Sequence, residues 1–273
     1  MLQEIQFEQH SAVAQVTVTH AGRFNAMSRA MWLELRQVFE QIQASTDLRC
    51  VLVRGAGCNF CSGGDISEYT DFRFEADSLQ HFHENEVWGA LQAMLNCDVP
   101  MVAQIEGNCM GAGLELASCC DIRLAGATAR FGAPIARLGF PMAPREAALM
   151  ARELGVTTTR QMLLEAAVFS APEMMVRGFL SRVTADDKLA AETAATVQRM
   201  VVLAPQAARL NKQTLRAINM PNRPLAPTQS AQEATNSVAS TSDPAYASAY
   251  AYADSAEHRE GISAFLAKRP PVF

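Results

Sequence analysis

The stretch Gln104–Cys120, Q-I-E-G-N-C-M-G-A-G-L-E-L-A-S-C-C, most constrains what this chain can fold into. An apolar run at 101–105 leads into three glycines, and a segment of small residues follows. This order predicts a strand, a tight turn and a helix with Glu115 in its first turn. The N–H groups at a helix start are free, and the helix dipole there favours negative charge. The turn therefore suits a carbonyl oxygen that gains charge, although glycines that serve only close backbone packing are the alternative.

A second glycine turn, Cys61–Ile66, follows another apolar strand pattern at 49–54. Neither turn ends in Gly-Lys-Ser/Thr and neither has the G-x-G-x-x-G spacing, which disfavours a P-loop and a dinucleotide site. Turns at the ends of neighbouring strands can each direct one N–H to the same oxygen. Together the two turns predict an oxyanion hole.

Strand and helix patterns alternate through the first half of the chain. Apolar periodicity predicts a hairpin of strands at 3–10 and 12–19, a helix after Ser28, and further strands and helices at 49–54, 75–96, 99–105, 112–120 and 122–124. From about residue 144 the strand signals fade, and helices are predicted at 144–153, 157–166, 172–178, 188–203 and 205–218. We therefore expect an α/β core over 1–200 and a helical C-terminal region over 201–273.

Charge and composition exclude several classes of function. The net charge of −5 argues against a nucleic-acid partner, and no apolar run is long enough to cross a membrane. The first residues lack a basic start and an apolar segment, so we expect a cytoplasmic protein without a secretion signal. The only C-x-x-C pair, Cys58 and Cys61, has no second pair or nearby histidine, so we expect no metal site.

Four motifs along the chain resemble those of one known family. They are F-C-S-G-G-D-I at 60–66, G-N-C-M-G-A-G-L-E-L-A-S-C-C-D-I at 107–122, F-G-A-P-I-A-R-L-G at 131–139 and E-G-I-S-A-F-L-A-K-R at 260–269. In order and spacing they resemble the signatures of the crotonase (enoyl-CoA hydratase/isomerase) superfamily over essentially the whole chain. The resemblance implies an α/β crotonase-like spiral of ββα repeats with a helical C-terminal trimerisation region, whose trimers often pair into hexamers.

The resemblance also implies a ligand and a site. The ligand would be an acyl-CoA thioester, with coenzyme A as part of the substrate and no separate cofactor. Its thioester oxygen would lie between the N–H groups of Gly64 and Ala112, with Glu115 as the catalytic acid or base. The residues implied to bind CoA are Arg23, Asn25, Ser62, Gly63, Asp65, Ile66, Phe265 and Lys268. The implied walls of the acyl pocket are Ile135, Phe140, Pro141 and Met142.

One position departs from the family pattern. The third motif has Ala-Pro-Ile with Ile135 where the family's second catalytic glutamate falls, and isoleucine cannot transfer a proton. Hydration of a double bond needs one group to activate water and another to deliver the α-proton. Either Glu115 performs both steps or another group supplies the second; the candidates are Glu84, Glu86, Glu146, His81 and His83. An apolar neighbour such as Ile135 is expected to raise the pKa of Glu115.

The leading hypothesis is an enoyl-CoA hydratase/isomerase-type enzyme that stabilises a thioester enolate with one identified glutamate. Three alternatives stay within the family: double-bond isomerisation, thioester hydrolysis, and acyl-CoA binding without turnover. A serine peptidase of the related spiral fold is disfavoured, because the second glycine turn offers no serine before Ser118.

Overall fold

The structure is a computed structural model that describes residues 3–218, 252–253 and 255–273. The chain divides into two compact units, Met1–Val201 and Val202–Phe273. Residues 219–251, part of the predicted helical C-terminal region, lie outside the described residues. No helix in the described ranges is both long and apolar enough to cross a bilayer.

The first unit is built around a six-stranded sheet. In chain order the strands of this unit are β1 Gln3–His10, β2 Val13–His20, β3 Cys50–Gly55, β4 Met101–Ile105, β5 Asn108–Met110, β6 Ile122–Gly126, β7 Arg130–Gly132, β8 Val168–Ser170 and β9 Arg182–Thr184. The large sheet has the order β1-β2-β3-β4-β6-β9, in which β1 and β2 form the predicted antiparallel hairpin and the other pairs are parallel. Every residue of β4 is buried, as expected for a strand covered on both faces.

A second sheet consists of three short strands in the order β5-β7-β8. Its strand β5 lies within the glycine-rich stretch Gln104–Cys120. Strand β5 pairs parallel with β7, and β7 pairs antiparallel with β8. The prediction that strands end before residue 144 is wrong, because β8 and β9 follow it. Each of these strands has three residues, which is too short for an alternating pattern to be recognised in a sequence.

The helices of the first unit are α1 Arg29–Ala44, α2 Ala76–His81, α3 Trp88–Asn96, α4 Ala112–Ser118, α5 Pro144–Leu154, α6 Val156–Leu164, α7 Ala171–Val176 and α8 Leu189–Val201. As predicted, Ser28 caps α1, with its hydroxyl accepting the Met31 N–H at 3.3 Å. The predicted helix at 75–96 is interrupted by a π-helical turn at Phe82–Val87. A π-helical turn contains about one more residue than an α-helical turn, and such turns are frequent at functional sites.

The second unit, so far as it is described, contains helices α9 Pro205–Ile218 and α10 Ala256–Leu266. The Glu257 carboxylate accepts the Gln206 N–H at 2.9 Å, which joins the starts of these helices. Ser255 caps α10 by accepting the His258 N–H at 3.2 Å. The predicted trimerisation through this region stays a prediction.

Candidate active site

The two glycine turns lie side by side. A backbone bridge joins them, since the Cys61 N–H donates to the Asn108 carbonyl and the Met110 N–H donates to the Cys61 carbonyl, both at 2.9 Å. Gly113 packs directly on this bridge, where a Cβ would lie 2.5 Å from the Cys61 oxygen. Gly111 has φ +46°, a conformation that favours glycine. These glycines therefore serve both close packing and the turn that begins α4.

Two backbone N–H groups border the same cavity, one from each turn. Gly64 belongs to the first turn, and Ala112 is the first residue of α4. Within the part of the chain that the structure describes, neither N–H donates to another protein group. Both are thus available to a ligand oxygen, and the Ala112 N–H lies at the positive end of a helix.

The cavity has a volume of about 330 Å³, within the usual range for a small-molecule site. Its walls are mainly apolar, with Trp32, Phe82 and Val87 beside the apolar residues of the third motif. Ten residues of the predicted site line it: Ser62, Gly63, Gly64, Ile66, Ala112, Glu115, Ile135, Phe140, Pro141 and Met142.

Glu115 is buried in α4 and borders this cavity. Its residue is only 5% exposed, and its carboxyl group has no hydrogen-bond partner among residues 3–218, 252–253 and 255–273. Burial raises the pKa of Glu115 well above its ordinary value, and the nearby charge of Glu146 raises it further. A raised pKa was the expectation from the apolar Ile135, which lines the same cavity.

A second buried carboxyl group, Glu146 in the first turn of α5, also lines the cavity. Burial raises the pKa of Glu146 to about 8, although the positive charge of Arg73 acts in the opposite direction. Because two like charges disfavour each other in an apolar site, Glu115 and Glu146 hold at least one proton between them near neutral pH. The cavity therefore contains a protonated acid beside a potential base.

His83, on the π-helical turn, holds Glu146 in place. Its Nδ1 lies 2.7 Å from Glu146 Oε1, and its Nε2 lies 3.4 Å from Arg73 Nη1. Arginine can only donate, so Nε2 is the acceptor and the proton is on Nδ1, from which it is donated to Glu146. Burial, followed by the charge of Arg73, lowers the pKa of His83 and favours the neutral ring.

The match to a family model decides which family this geometry belongs to. The model described as enoyl-CoA hydratase/isomerase matches residues 8–273. The chain belongs to that family. The sequence motifs had indicated it, and the fold of the structural relatives agrees.

Relatives of this chain are similar to it over most of their length. The 2,3-dehydroadipyl-CoA hydratase of Escherichia coli is 27% identical over 274 residues, covering 100% of this chain and 99% of that protein. A probable enoyl-CoA hydratase of Mycobacterium tuberculosis is 33% identical over 215 residues, covering 77% of this chain and 80% of its own.

Solved structures of the family superpose closely. The crystal structure of an enoyl-CoA hydratase/carnithine racemase from Magnetospirillum magneticum has a TM-score of 0.89 at 34% identity, with 100% of this chain and 96% of that one covered. Pseudomonas aeruginosa AtuE has a TM-score of 0.85 at 28% identity, with 98% of each chain covered. The predicted crotonase-like fold is confirmed.

The other candidates for a second proton-transfer group have contacts away from this cavity. Glu84 pairs with Arg145 at 3.2 Å. Glu86 is buried in a two-pronged ion pair with Arg29. The exposed ring of His81 lies 3.1 Å from the Asn85 amide nitrogen. Of the five candidates named from the sequence, only His83 and Glu146 line the cavity.

The predicted CoA-binding residues that do not line the cavity fall into two groups. The Asn25 amide is buried and uses both hydrogens on the Ala56 and Asn59 carbonyls, each at 2.8 Å. Asp65 caps the 3₁₀ turn at Ile66–Asp71 by accepting the Ser67 N–H at 3.0 Å. The structure thus gives both side chains a structural role in their loops. The three remaining side chains are exposed, and their contact with CoA stays a prediction; they are Arg23, Phe265 and Lys268.

Proposed function

We propose that this protein is a hydratase of α,β-unsaturated acyl-CoA thioesters. The observation that carries the proposal is the pair Glu115 and Glu146, two buried carboxyl groups with raised pKa on one apolar cavity. Glu146 supplies the second acid–base group that Ile135 cannot supply. Family membership and the names of the hydratase relatives support the same substrate class.

The free N–H groups of Gly64 and Ala112 are the oxyanion hole in this proposal. As hydroxide adds to the β-carbon, the α,β-double bond becomes an enolate and negative charge moves onto the thioester oxygen. Two fixed donors in an apolar cavity stabilise that charge without reorganising, and each contributes roughly 3–4 kcal/mol to lowering the barrier.

The carboxyl pair completes the addition of water. The ionised member accepts a proton from water as the water oxygen bonds to the β-carbon, and the protonated member gives its proton to the α-carbon. One proton enters the pair and one leaves, so the pair ends with the protons it began with. His83 is a positioning residue in this proposal, since its ring orients the Glu146 carboxyl group.

Coenzyme A enters as part of the substrate. Ser62, Gly63 and Ile66 line the cavity beside the Gly64 donor and suit the path of the pantetheine arm. Arg23, Phe265 and Lys268 are proposed CoA contacts, where a cation can pair with phosphate. A cytoplasmic homotrimer, or a dimer of such trimers, is part of the same proposal.

The products formed from crotonyl-CoA test this function against its alternatives. Hydration predicts hydroxybutyryl-CoA, which is heavier by one water, and mass spectrometry detects it directly. Release of free CoA would indicate thioester hydrolysis, and a chromatographically distinct product of unchanged mass would indicate isomerisation. Absence of turnover with crotonyl-CoA and with longer enoyl-CoAs would contradict the proposal and favour acyl-CoA binding alone.

A Glu146→Gln variant is expected to remove part of the pH dependence of stability. Between the ordinary value of 4.5 and about 8, the folded protein keeps a proton on Glu146 that the unfolded chain has released. The free energy of unfolding of the wild type therefore falls as pH rises through this window, by at most about 1.4 kcal/mol per pH unit for one proton. Urea unfolding of wild type and variant across that window measures the difference.

Glu40→Gln is the matched control for this experiment. Glu40 is exposed on α1 and pairs with Arg36 at 2.8 Å. The variant keeps Glu146 and its buried surroundings unchanged, so the pH dependence that comes from Glu146 should persist. Parallel stability curves for wild type and Glu146→Gln would contradict the raised pKa of Glu146.

A further inference from the structure

Arg73 is a cation inside a mainly apolar site. Its guanidinium lies against two aromatic rings, 3.6 Å from the centre of Phe140 and 4.5 Å from that of Tyr69. Its single polar contact among the described residues is the 3.4 Å approach to His83, and it forms no ion pair with a carboxylate there. A guanidinium has five N–H donors, so most of them have no protein partner.

The position of Arg73 matters as much as its charge. It lines both the cavity of about 330 Å³ and an adjoining cavity of about 720 Å³. The two cavities also share seven other residues in their walls: Ile66, Tyr69, His83, Leu138, Phe140, Pro141 and Met142. Arg73 therefore stands where one cavity opens into the other, within reach of a chain that passes between them.

We propose that the acyl group of the substrate carries a second carboxylate, which Arg73 binds at this junction. The ligand would be the CoA monothioester of a dicarboxylic acid. This inference rests on the proposed function, because it places the thioester at the oxyanion donors and the free carboxylate farther along the same acyl chain.

The chemistry of the junction suits that ligand. The planar guanidinium can make two parallel hydrogen bonds to a carboxylate, whereas a methyl-ended chain would press against donors that then lose water without a replacement. The flanking rings keep the guanidinium in place and allow it to stay charged. The raised pKa of Glu146 means that this neighbouring carboxyl group is largely neutral near pH 7 and opposes a second carboxylate only weakly.

Binding of saturated thioesters tests the inference, since they cannot be hydrated. Titration calorimetry would compare adipoyl-CoA with hexanoyl-CoA, and suberoyl-CoA with octanoyl-CoA, so that each pair differs only in the terminal carboxylate. We expect the wild type to bind the carboxylated member of at least one pair about tenfold to a hundredfold more tightly. Arg73→Gln should remove this preference while leaving the affinity for the neutral member within a few-fold.

Arg137→Gln is the matched control, because Arg137 also lines the first cavity but is exposed. The preference should persist in that variant. Three results would overturn the inference. The wild type could show no preference for the carboxylated thioester in either pair, or Arg137→Gln could lose that preference. Arg73→Gln could also lose affinity equally for the carboxylated and the neutral thioester, which would indicate that Arg73 binds a CoA phosphate. A melting curve for Arg73→Gln verifies that the variant is folded.

These outcomes are separable from a failure of the proposed function. A wild type that prefers the dicarboxylic thioesters but hydrates no enoyl-CoA would contradict the hydratase proposal and leave the Arg73 inference standing. Hydration of neutral and carboxylated enoyl-CoAs with equal kcat/KM, together with equal binding, would contradict the inference alone.

Discussion

Glu115→Gln is expected to lower kcat for enoyl-CoA hydration by roughly 10²- to 10⁴-fold, the usual contribution of a positioned acid or base. Glutamine has nearly the same shape but can neither accept a proton from water nor deliver one. Its carboxamide fits a buried position without a charge to desolvate, so the variant should fold. A spectrophotometric assay with crotonyl-CoA, which follows loss of the conjugated double bond, measures the rate.

The rate of Glu146→Gln shows whether one carboxyl group or two take part in the proton transfers. If the pair acts as a unit, each single variant should be slow and the double variant hardly slower, because either change alone stops the paired proton transfer. A normal rate in Glu115→Gln would remove Glu115 from the mechanism. A normal rate in Glu146→Gln with a slow Glu115→Gln would leave Glu115 as the sole acid–base group.

Binding of a saturated acyl-CoA checks that these losses are chemical. Butyryl-CoA contains the thioester but no double bond, so its dissociation constant reports the oxyanion and CoA contacts without turnover. Both glutamine variants should bind it within a few-fold of the wild type, since the carboxyl groups act on water and on the α-carbon. A large loss of affinity would instead indicate a disturbed cavity.

Local sequence predicted the two glycine turns and the helix start, and the family resemblance implied which of their residues form the site. The two glycine turns and Glu115 lie in continuous motifs, and a strand followed by glycines and a helix start has only a few backbone solutions. The resemblance placed Gly64, Ala112 and Glu115 on one site, and in the structure all three line one cavity.

The side-chain half of the site depends on contacts between distant segments. His83 and Glu146 are 63 residues apart in the sequence, and they meet where the π-helical turn that carries the imidazole lies against the first turn of α5. In the sequence, Glu146 is an ordinary acidic residue in a helix first turn, where exposure is the common outcome. The single sequence signal was the absence of a carboxylate at Ile135, which required a replacement without specifying which one.

The position of Arg73 in the site is even harder to predict from the sequence than that of Glu146. It follows a 3₁₀ turn in a segment without clear periodicity, and a lone arginine in such a segment is usually solvated. Its contact with Phe140 joins that segment to the loop before α5, a pairing that no local pattern indicates. Substrate-selective residues of this kind require the three-dimensional arrangement.

Ala112→Pro is expected to lower kcat by about 10²- to 10³-fold, because it deletes one oxyanion donor. Proline lacks the N–H but is well suited to the first position of a helix, where that N–H has no helical partner. This chain already begins α5 and α9 with proline, at Pro144 and Pro205. Proline at position 112 therefore removes the N–H donor and keeps helix α4. Proline at position 64 would not be as clean a test, because any Cβ on Gly64 would collide with the Tyr69 hydroxyl.

Val156→Pro is the matched control for the loss of this donor. Val156 is the first residue of α6 and, like Ala112, follows a glycine of positive φ, here Gly155. It is about half exposed and does not line the cavity, so its variant should keep full activity. The oxyanion donor contributes most in the transition state, when negative charge develops on the thioester oxygen. Ala112→Pro should therefore lower kcat by a much larger factor than it lowers the affinity for butyryl-CoA. A folded Ala112→Pro enzyme with wild-type kcat would exclude the Ala112 N–H from the oxyanion hole.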